Sequence, residues 1–207
     1  MADCQAPLIY LVDDDNAVRD ALALLLRSVG LRSQGFADPA AFLAAYEPHA
    51  IGCVVLDLRM PGIGGLEVLT RLQASSDLPV ILLTGHGNVE HCRRAFKQGA
   101  CEFLQKPVDD DVLLEAVQLA VRQHSSRRAS QAASQAARDR LARLSGREHD
   151  VLQRIAEGMS NKAIARELEL SPRTVETYRA NVFAKLEVDT LAQLIRDYWL
   201  LRTPPAP

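Results

Sequence analysis

The sequence predicts an α/β domain built on a five-stranded parallel sheet, then a helical linker, then a small all-α domain of four helices. Three observations carry that expectation. Short apolar runs alternate with helix-length amphipathic stretches five times over about 120 residues, a βαβα pattern that calls for a parallel sheet covered on both faces. Two of those runs, Cys-Val-Val-Leu at 53–56 and Val-Ile-Leu-Leu at 80–83, are apolar at every position, as strands buried on both faces must be. Beyond residue 144 the strand-like runs give way to helix caps and Gly and Pro punctuation.

Taken in order, 8–12 reads as a strand, followed by a helix over 16–29 that Gly30 can end. A weak strand follows at 31–36. Asp38 and Pro39 then form an N-cap with proline at the first helical position, opening a helix to about 46. The second buried strand is 53–57, and a loop at 62–65 precedes a helix ending at Ser75. Residues 79–84 form the next strand, 88–98 a helix stopped by Gly99, and 100–105 the last strand. A helix begins near Asp109. Residues 123–144 are rich in Ala, Ser, Gln and Arg without Gly or Pro, which favours one long continuing helix over coil. Ser145 and Glu148 then make a capping box, and Gly158 closes the helix they open. Ser160 caps a second helix, to about 168. Ser171-Pro172 caps a third, to 186, and a Thr190/Gln193 capping box opens a last, to about 201. The short turn between the second and third is the helix-turn-helix arrangement. The expected division is 1–124, 125–143 and 144–207.

Composition narrows the class. The chain has 207 residues, 48% apolar and 24% charged, a globular balance that excludes a disordered or collagen-like chain. No apolar run approaches the roughly 18 residues of a membrane span. No basic residue precedes Leu8, so a secretory leader is not expected and a cytoplasmic location is. The net charge of −2 hides an asymmetry: residues 1–124 hold 10 Lys/Arg against 16 Asp/Glu, and residues 125–207 hold 14 against 10. An acidic front and a basic rear suggest two modules, the second suited to a polyanion. Cys4, Cys53, Cys92 and Cys101 show no metal-ligand spacing, and Cys53 and Cys101, in apolar runs, read as small core residues.

In parallel α/β sheets, ligands bind beyond the carboxyl ends of the strands at a topological switch point. Asp13, Asp14 and Asp15 end the first strand and Asp57 ends the third, so these carboxylates should converge at one mouth. Crowded like charges repel, and a hard divalent cation such as Mg²⁺ resolves the conflict with oxygen ligands. Thr84 and Lys106 end two further strands and add a hydroxyl and an ammonium. Together the set can neutralise a transferring phosphoryl group, with Asp57 as the nucleophile. Asp15 is better placed to serve the N-terminus of the following helix.

Val12-Asp13-Asp14, Asp57 within Leu-Asp-Leu-Arg-Met-Pro-Gly, Thr84-Gly-His-Gly and Phe103-Leu-Gln-Lys106-Pro107 resemble a two-component response-regulator receiver domain over about residues 6–124, a flavodoxin-like fold. The resemblance implies that Asp57 accepts phosphate from a sensor histidine kinase. It also implies that Asp13, Asp14, Asp57 and the Arg59 carbonyl bind Mg²⁺, that Thr84 and Lys106 contact the phosphoryl, and that Phe103 is an aromatic switch residue.

On the third helix of the rear half, Val175, Val182 and Leu186 fall on one stripe and should be buried. The opposite face carries Arg173, Thr177, Ala180 and Ala184, small enough for close approach to a groove. Thr174, Tyr178, Asn181 and Lys185 share a flank and can donate hydrogen bonds to phosphates. Glu176, on the other flank, could accept from cytosine; Arg179 completes the candidate DNA-contacting set. Leu144-Ser-Gly-Arg-Glu148, Ser160-Asn-Lys-Ala-Ile-Ala165 and Ser171-Pro-Arg-Thr-Val175 through Lys185-Leu186 resemble the LuxR-type helix-turn-helix, and Thr174–Val182 is closer still to the FixJ type. Both halves point to the NarL/FixJ response-regulator family. That resemblance implies a phosphorylation-activated transcriptional regulator that binds double-stranded DNA, dimerises on phosphorylation and works with RNA polymerase, and no metabolic enzyme.

The chain departs from the family in four places. Glu169 and Glu187 stand just past helix ends where glycine is common, Tyr178 replaces a frequent histidine, and Glu90 stands where proline is common. A phosphatase with an aspartyl nucleophile is disfavoured because position 59 is Arg, where a general-acid carboxylate is expected. The alternative within the architecture is a LuxR-type regulator that responds to a small molecule or acts without phosphorylation. A compact receiver pattern and an intact acid, Thr and Lys set argue against both.

Overall fold

The computed structural model describes residues 6–85 and 89–202; Cys4, His86, Gly87 and Asn88, which figured in the sequence reading, lie outside them. The chain divides into two compact units, 1–128 and 129–207. Among the described residues no helix is long and apolar enough to cross a membrane.

The first unit holds β1 (Leu8–Val12), α1 (Asn16–Ser28), β2 (Arg32–Phe36), α2 (Pro39–Ala45), β3 (Gly52–Asp57), α3 (Gly65–Ser75), β4 (Val80–Thr84), α4 (Val89–Lys97) and β5 (Glu102–Gln105). It also holds the start of α5 (Asp110–Ala142). The five strands are parallel in the order β2-β1-β3-β4-β5, so the order reverses between β1 and β3. Alternate strand residues face opposite sides. Tyr10, Val12, Val54, Leu56, Val80 and Leu82 pack with Phe42, Val68, Leu69, Leu72 and Ala95 of α2, α3 and α4. Ile9, Leu11, Cys53, Val55, Ile81 and Leu83 pack with Leu22, Leu26, Leu113 and Val117 of α1 and α5. The runs at 53–56 and 80–83 are buried throughout. Strand β2, at a sheet edge, is half exposed, which explains its weak apolar pattern.

Cys101 departs from expectation. Cys53 is fully buried, but Cys101 is exposed, because β5 begins only at Glu102 and has a single neighbour, β4. Its thiol folds back onto the Val80 carbonyl at 3.1 Å. At the opposite end of the sheet from the acids, buried His124 of α5 sets Nδ1 against the main chain of Gly52 and Nε2 3.3 Å from Asp77. Pro79, which precedes β4, has no N–H to offer the Gly52 carbonyl, and the imidazole lies beside it at 3.0 Å.

The second unit contains α6 (Gly146–Ala156), α7 (Asn161–Glu167), α8 (Pro172–Leu186) and α9 (Leu191–Arg202). Caps set their starts: Ser145 and Glu148 form the reciprocal box, Ser160 accepts from the Ala163 N–H, and Ser171 accepts from the Thr174 N–H. Thr190 and Gln193 likewise satisfy each other's backbone N–H groups. Each cap contributes about 1 kcal/mol. Val151, Leu152, Ile155, Ile164, Val175, Val182, Leu186 and Leu194 form the core. Glu169 and Glu187 adopt φ of 55° and 57°, the left-handed region that disfavours L side chains by roughly 1 kcal/mol or more.

Candidate functional site

Three strand ends build the first site. Asp13 follows β1, Asp57 closes β3, and Lys106 follows β5. One carboxylate oxygen from each of Asp13, Asp14 and Asp57 lies within 4.8 Å of the others. Asp13 and Asp57 are buried while Asp14 is exposed. Lys106 Nζ sits 2.5 Å from Asp13 Oδ2 and 3.0 Å from Asp57 Oδ1, and the Arg59 N–H donates to Asp57 Oδ2 at 3.2 Å. Thr84, fully buried, closes the neighbouring β4, and the Lys106 N–H donates to its carbonyl at 2.8 Å. Phe103, half-buried, packs onto the sheet face shared with α2–α4.

The chain is shaped to hold this mouth. Gly65 opens α3 hard against the end of β3: a Cβ there would fall 2.4 Å from the Asp57 carbonyl oxygen, closer than real Cβ contacts allow, so only glycine lets α3 start where it does. Asp15 accepts from the Ala17 N–H at 2.8 Å and caps α1, as its place before the helix suggested. Desolvation at the strand end raises the Asp57 carboxyl above its ordinary value, outweighing the pull of Lys106. Lys106 is also desolvated, but it faces two carboxylates at once, and they raise its value, keeping it charged. Three acids against one ammonium leave the mouth net negative, with hard oxygen donors converging on one point, and that donor set suits Mg²⁺.

The second site is the outer surface of α8. Val175, Val182 and Leu186 are buried as the stripe required. Arg173, Glu176, Thr177 and Asn181 are exposed, and Thr174, Tyr178, Arg179 and Lys185 are half-buried. Thr174 Oγ1 lies 2.7 Å from Ser171 Oγ and Thr177 donates to the Arg173 carbonyl at 3.1 Å. The Tyr178 ring leans on the core.

Lys185 has a partner that sequence reasoning missed. Its ammonium lies 2.7 Å from Oε2 of Glu148, the buried third helical residue of α6 whose carboxylate also accepts from the Ser145 N–H at 2.7 Å. Lys185, then the Ser145 N–H, pull the Glu148 carboxyl down to about 2. The capping box announced Glu148 as a helix-start residue; nothing in the sequence linked it to a lysine 37 positions on. Arg19, whose role is taken up below, was missed for the same reason.

A parallel α/β domain with acids, a threonine and a lysine at its switch point, joined to a helix-turn-helix unit, defines a two-component response regulator with a DNA-binding output. The family described as response regulator receiver domain matches residues 9–118, and that of bacterial regulatory proteins of the luxR family matches 142–197. The chain is 46% identical over 189 residues, 91% of its length and 92% of the relative's, to the transcriptional regulatory protein FixJ of Bradyrhizobium diazoefficiens. Among solved structures, the response regulator StyR superposes with a TM-score of 0.88 at 38% identity, covering 94% of this chain and 99% of that one. Full-length FixJ from B. japonicum gives a TM-score of 0.59 at 44% identity, covering 95% and 97%. The chain belongs to the FixJ-like response regulators of the NarL/FixJ family. It is a transcription regulator, and no metabolic enzyme.

Proposed function

We propose that Asp57 is the phosphoacceptor and that its phosphorylation switches the α8 surface onto double-stranded DNA. The observation that carries this reading is the convergence of Asp13, Asp14 and Asp57 within 4.8 Å beside Lys106. A carboxylate oxygen of Asp57 attacks the phosphorus of a phosphohistidine on the sensor kinase; the P–O bond forms, the P–N bond breaks, and the imidazole leaves. Asp13, Asp14, Asp57 and the Arg59 carbonyl would hold Mg²⁺, which when bound supplies positive charge to the transferring phosphoryl oxygens. Lys106 and the Thr84 hydroxyl would contact the same oxygens, and Phe103 would read out their shift. Water attacking the same acyl phosphate would return the chain to its resting state.

In the output unit, Arg173, Thr174, Thr177, Tyr178, Arg179, Asn181 and Lys185 would meet mainly phosphates, with Glu176 at a base edge. Residues 125–143 would serve as the linker between a receiver ending at 124 and the output domain. We assign dimerisation to the phosphorylated form, because pairing two short-site readers multiplies affinity through effective concentration. Val89 and Phe96, exposed and seven residues apart on α4, support that helix as the face that pairs. RNA polymerase would be the downstream partner, and the cytoplasm the place of action.

Acetyl phosphate with Mg²⁺ tests the reading. The intact chain is expected to gain about one phosphoryl mass, roughly 80 Da, on Asp57, and light scattering on the labelled sample to show twice the unlabelled mass. Equal labelling of Asp57→Asn would remove the assignment, and an unchanged mass would favour a monomeric switch.

A further inference from the structure

The acidic strand end is clamped by Arg19, a residue of α1 that makes no ion pair among the described residues. Its Nη1 donates to the Asp13 carbonyl at 2.6 Å and its Nη2 to the Asn16 side-chain oxygen at 2.8 Å. Its own N–H donates to the Asp15 carbonyl at 3.1 Å. The aliphatic stem lies over β2 at Gly35, where an added Cβ would meet Arg19 Cδ at 3.6 Å. Two further bonds tie the loop. The Asp13 N–H donates to the Phe36 carbonyl at 3.1 Å, and the Asp15 N–H to Asp13 Oδ1 at 2.9 Å.

Three converging carboxylates repel, and a strand-end loop can relieve that repulsion by splaying its acids apart. Lys106 restrains Asp13 and Asp57 but makes no ion pair with Asp14, which has none among the described residues. The placing of Asp14 therefore rests on the main chain of residues 13–16, the segment Arg19 spans. We propose that Arg19 is a positioning residue for Mg²⁺ binding and, through it, for phosphorylation: it holds the 13–16 main chain so that the Asp14 carboxylate stays beside those of Asp13 and Asp57. This inference rests on the metal reading above.

The alternative role for a cation near three acids is to neutralise their field, and the two roles predict opposite signs. Removing a counter-charge makes the mouth more negative and tightens cation binding; removing a clamp loosens it. Arg19 donates to a carbonyl and an amide oxygen and makes no ion pair with an acid among the described residues, which favours the clamp. Groups that orient metal ligands from behind change metal affinity by about 10–100-fold when removed.

Calorimetric titration of the full, unphosphorylated chain with Mg²⁺ decides the matter. Arg19→Met keeps the stem over Gly35 and loses both donors; it is expected to weaken Mg²⁺ binding about tenfold. Arg19→Lys keeps the charge but cannot span both acceptors, and is expected to retain most of that loss. Acetyl phosphate labelling of either variant should then return to the wild-type rate when Mg²⁺ is raised by a similar factor. Unchanged or tighter Mg²⁺ binding by Arg19→Met, with an unchanged far-ultraviolet spectrum, overturns the clamp. If Arg19→Met does not fold, unchanged binding by folded Arg19→Lys overturns it equally. Wild-type chain that binds no Mg²⁺, or Asp14→Ala that binds it as well as wild type, instead overturns the metal reading, and the clamp falls with it.

Discussion

Replacing Lys185 by methionine is expected to destabilise the helix-turn-helix unit before it says anything about DNA. The Glu148 side chain is 5% exposed and that of Lys185 40%. Lys185→Met leaves a buried carboxylate with the Ser145 N–H as its main remaining donor. Removing one partner of a fully buried ion pair costs about 3–5 kcal/mol. Water can reach the lysine end here and replaces part of the interaction, so about 2 kcal/mol is the expected cost. For a unit of this size each kcal/mol moves the melting temperature by roughly 4–8 °C, so the shift should be near 10 °C. Trp199 is the only tryptophan and lies in α9, so its fluorescence during thermal denaturation of the full chain reports the second unit. The pH dependence is fixed in sign. The Glu148 value is depressed to about 2, so the stability it contributes is fully present above its unfolded value, about 4.3, and is lost as pH falls toward 2. The gap between wild type and Lys185→Met should therefore close below about pH 4. Glu148→Gln combined with Lys185→Met should recover part of the loss, as a neutral amide tolerates burial without a cation. Co-melting of Lys185→Met and wild type at pH 7, or an equal gap at pH 7 and pH 3, would refute the argument.

Two further outcomes follow from the second unit. Glu169→Gly should stabilise the same Trp199 transition by about 1 kcal/mol, since φ of 55° suits glycine, and Glu187→Gly should gain less, because it also removes the exposed pair with Arg143; a loss of stability in both would contradict the strain. Arg173→Ala, exposed and without an ion pair among the described residues, should weaken binding to every DNA sequence and lower the salt slope by about one, whereas a changed sequence preference at constant slope would make Arg173 a base reader.

How far the sequence disclosed the molecule depends on the range of each signal. Runs buried on both faces, such as 53–56 and 80–83, announce central strands without help. The caps at Asp38, Ser145, Ser160, Ser171 and Thr190 are local, each acting within three residues, and each starts its helix in the structure. The edges read less clearly, because strands β2 and β5 have one neighbour each and mixed burial; that is why Cys101 was expected inside and lies outside. The switch-point rule brought Asp13, Asp57 and Lys106 together from positions scattered along the chain. No comparable rule pairs Lys185 with Glu148, Arg19 with the Asp13 carbonyl, or His124 with Asp77. Those contacts depend on side-chain reach across packed elements, and periodicity carries no trace of them.

The proposed switch also has a mechanical basis in the strand ends. Lys106 is the only cation paired with the acids among the described residues, so a phosphoryl on Asp57 must compete with Asp13 for it. The Lys106 N–H is bonded to the Thr84 carbonyl at 2.8 Å and Thr84 pairs with Gln105 in the sheet, so a shift of the Lys106 main chain would be carried to β4. Phe103 lies two residues further back on the same strand, paired with Leu82. In the proposed switch a change of charge at Asp57 would reach β5 by two routes, directly through the lysine side chain and along the β4–β5 ladder through Thr84. The ring of Phe103 is only half-buried. Burying the rest of that ring is worth about 1–2 kcal/mol, a tenfold shift in population or somewhat more. In the proposed switch that would be enough for phosphorylation of Asp57 to favour one arrangement of β5 and α4, the helix on which Val89 and Phe96 stand exposed.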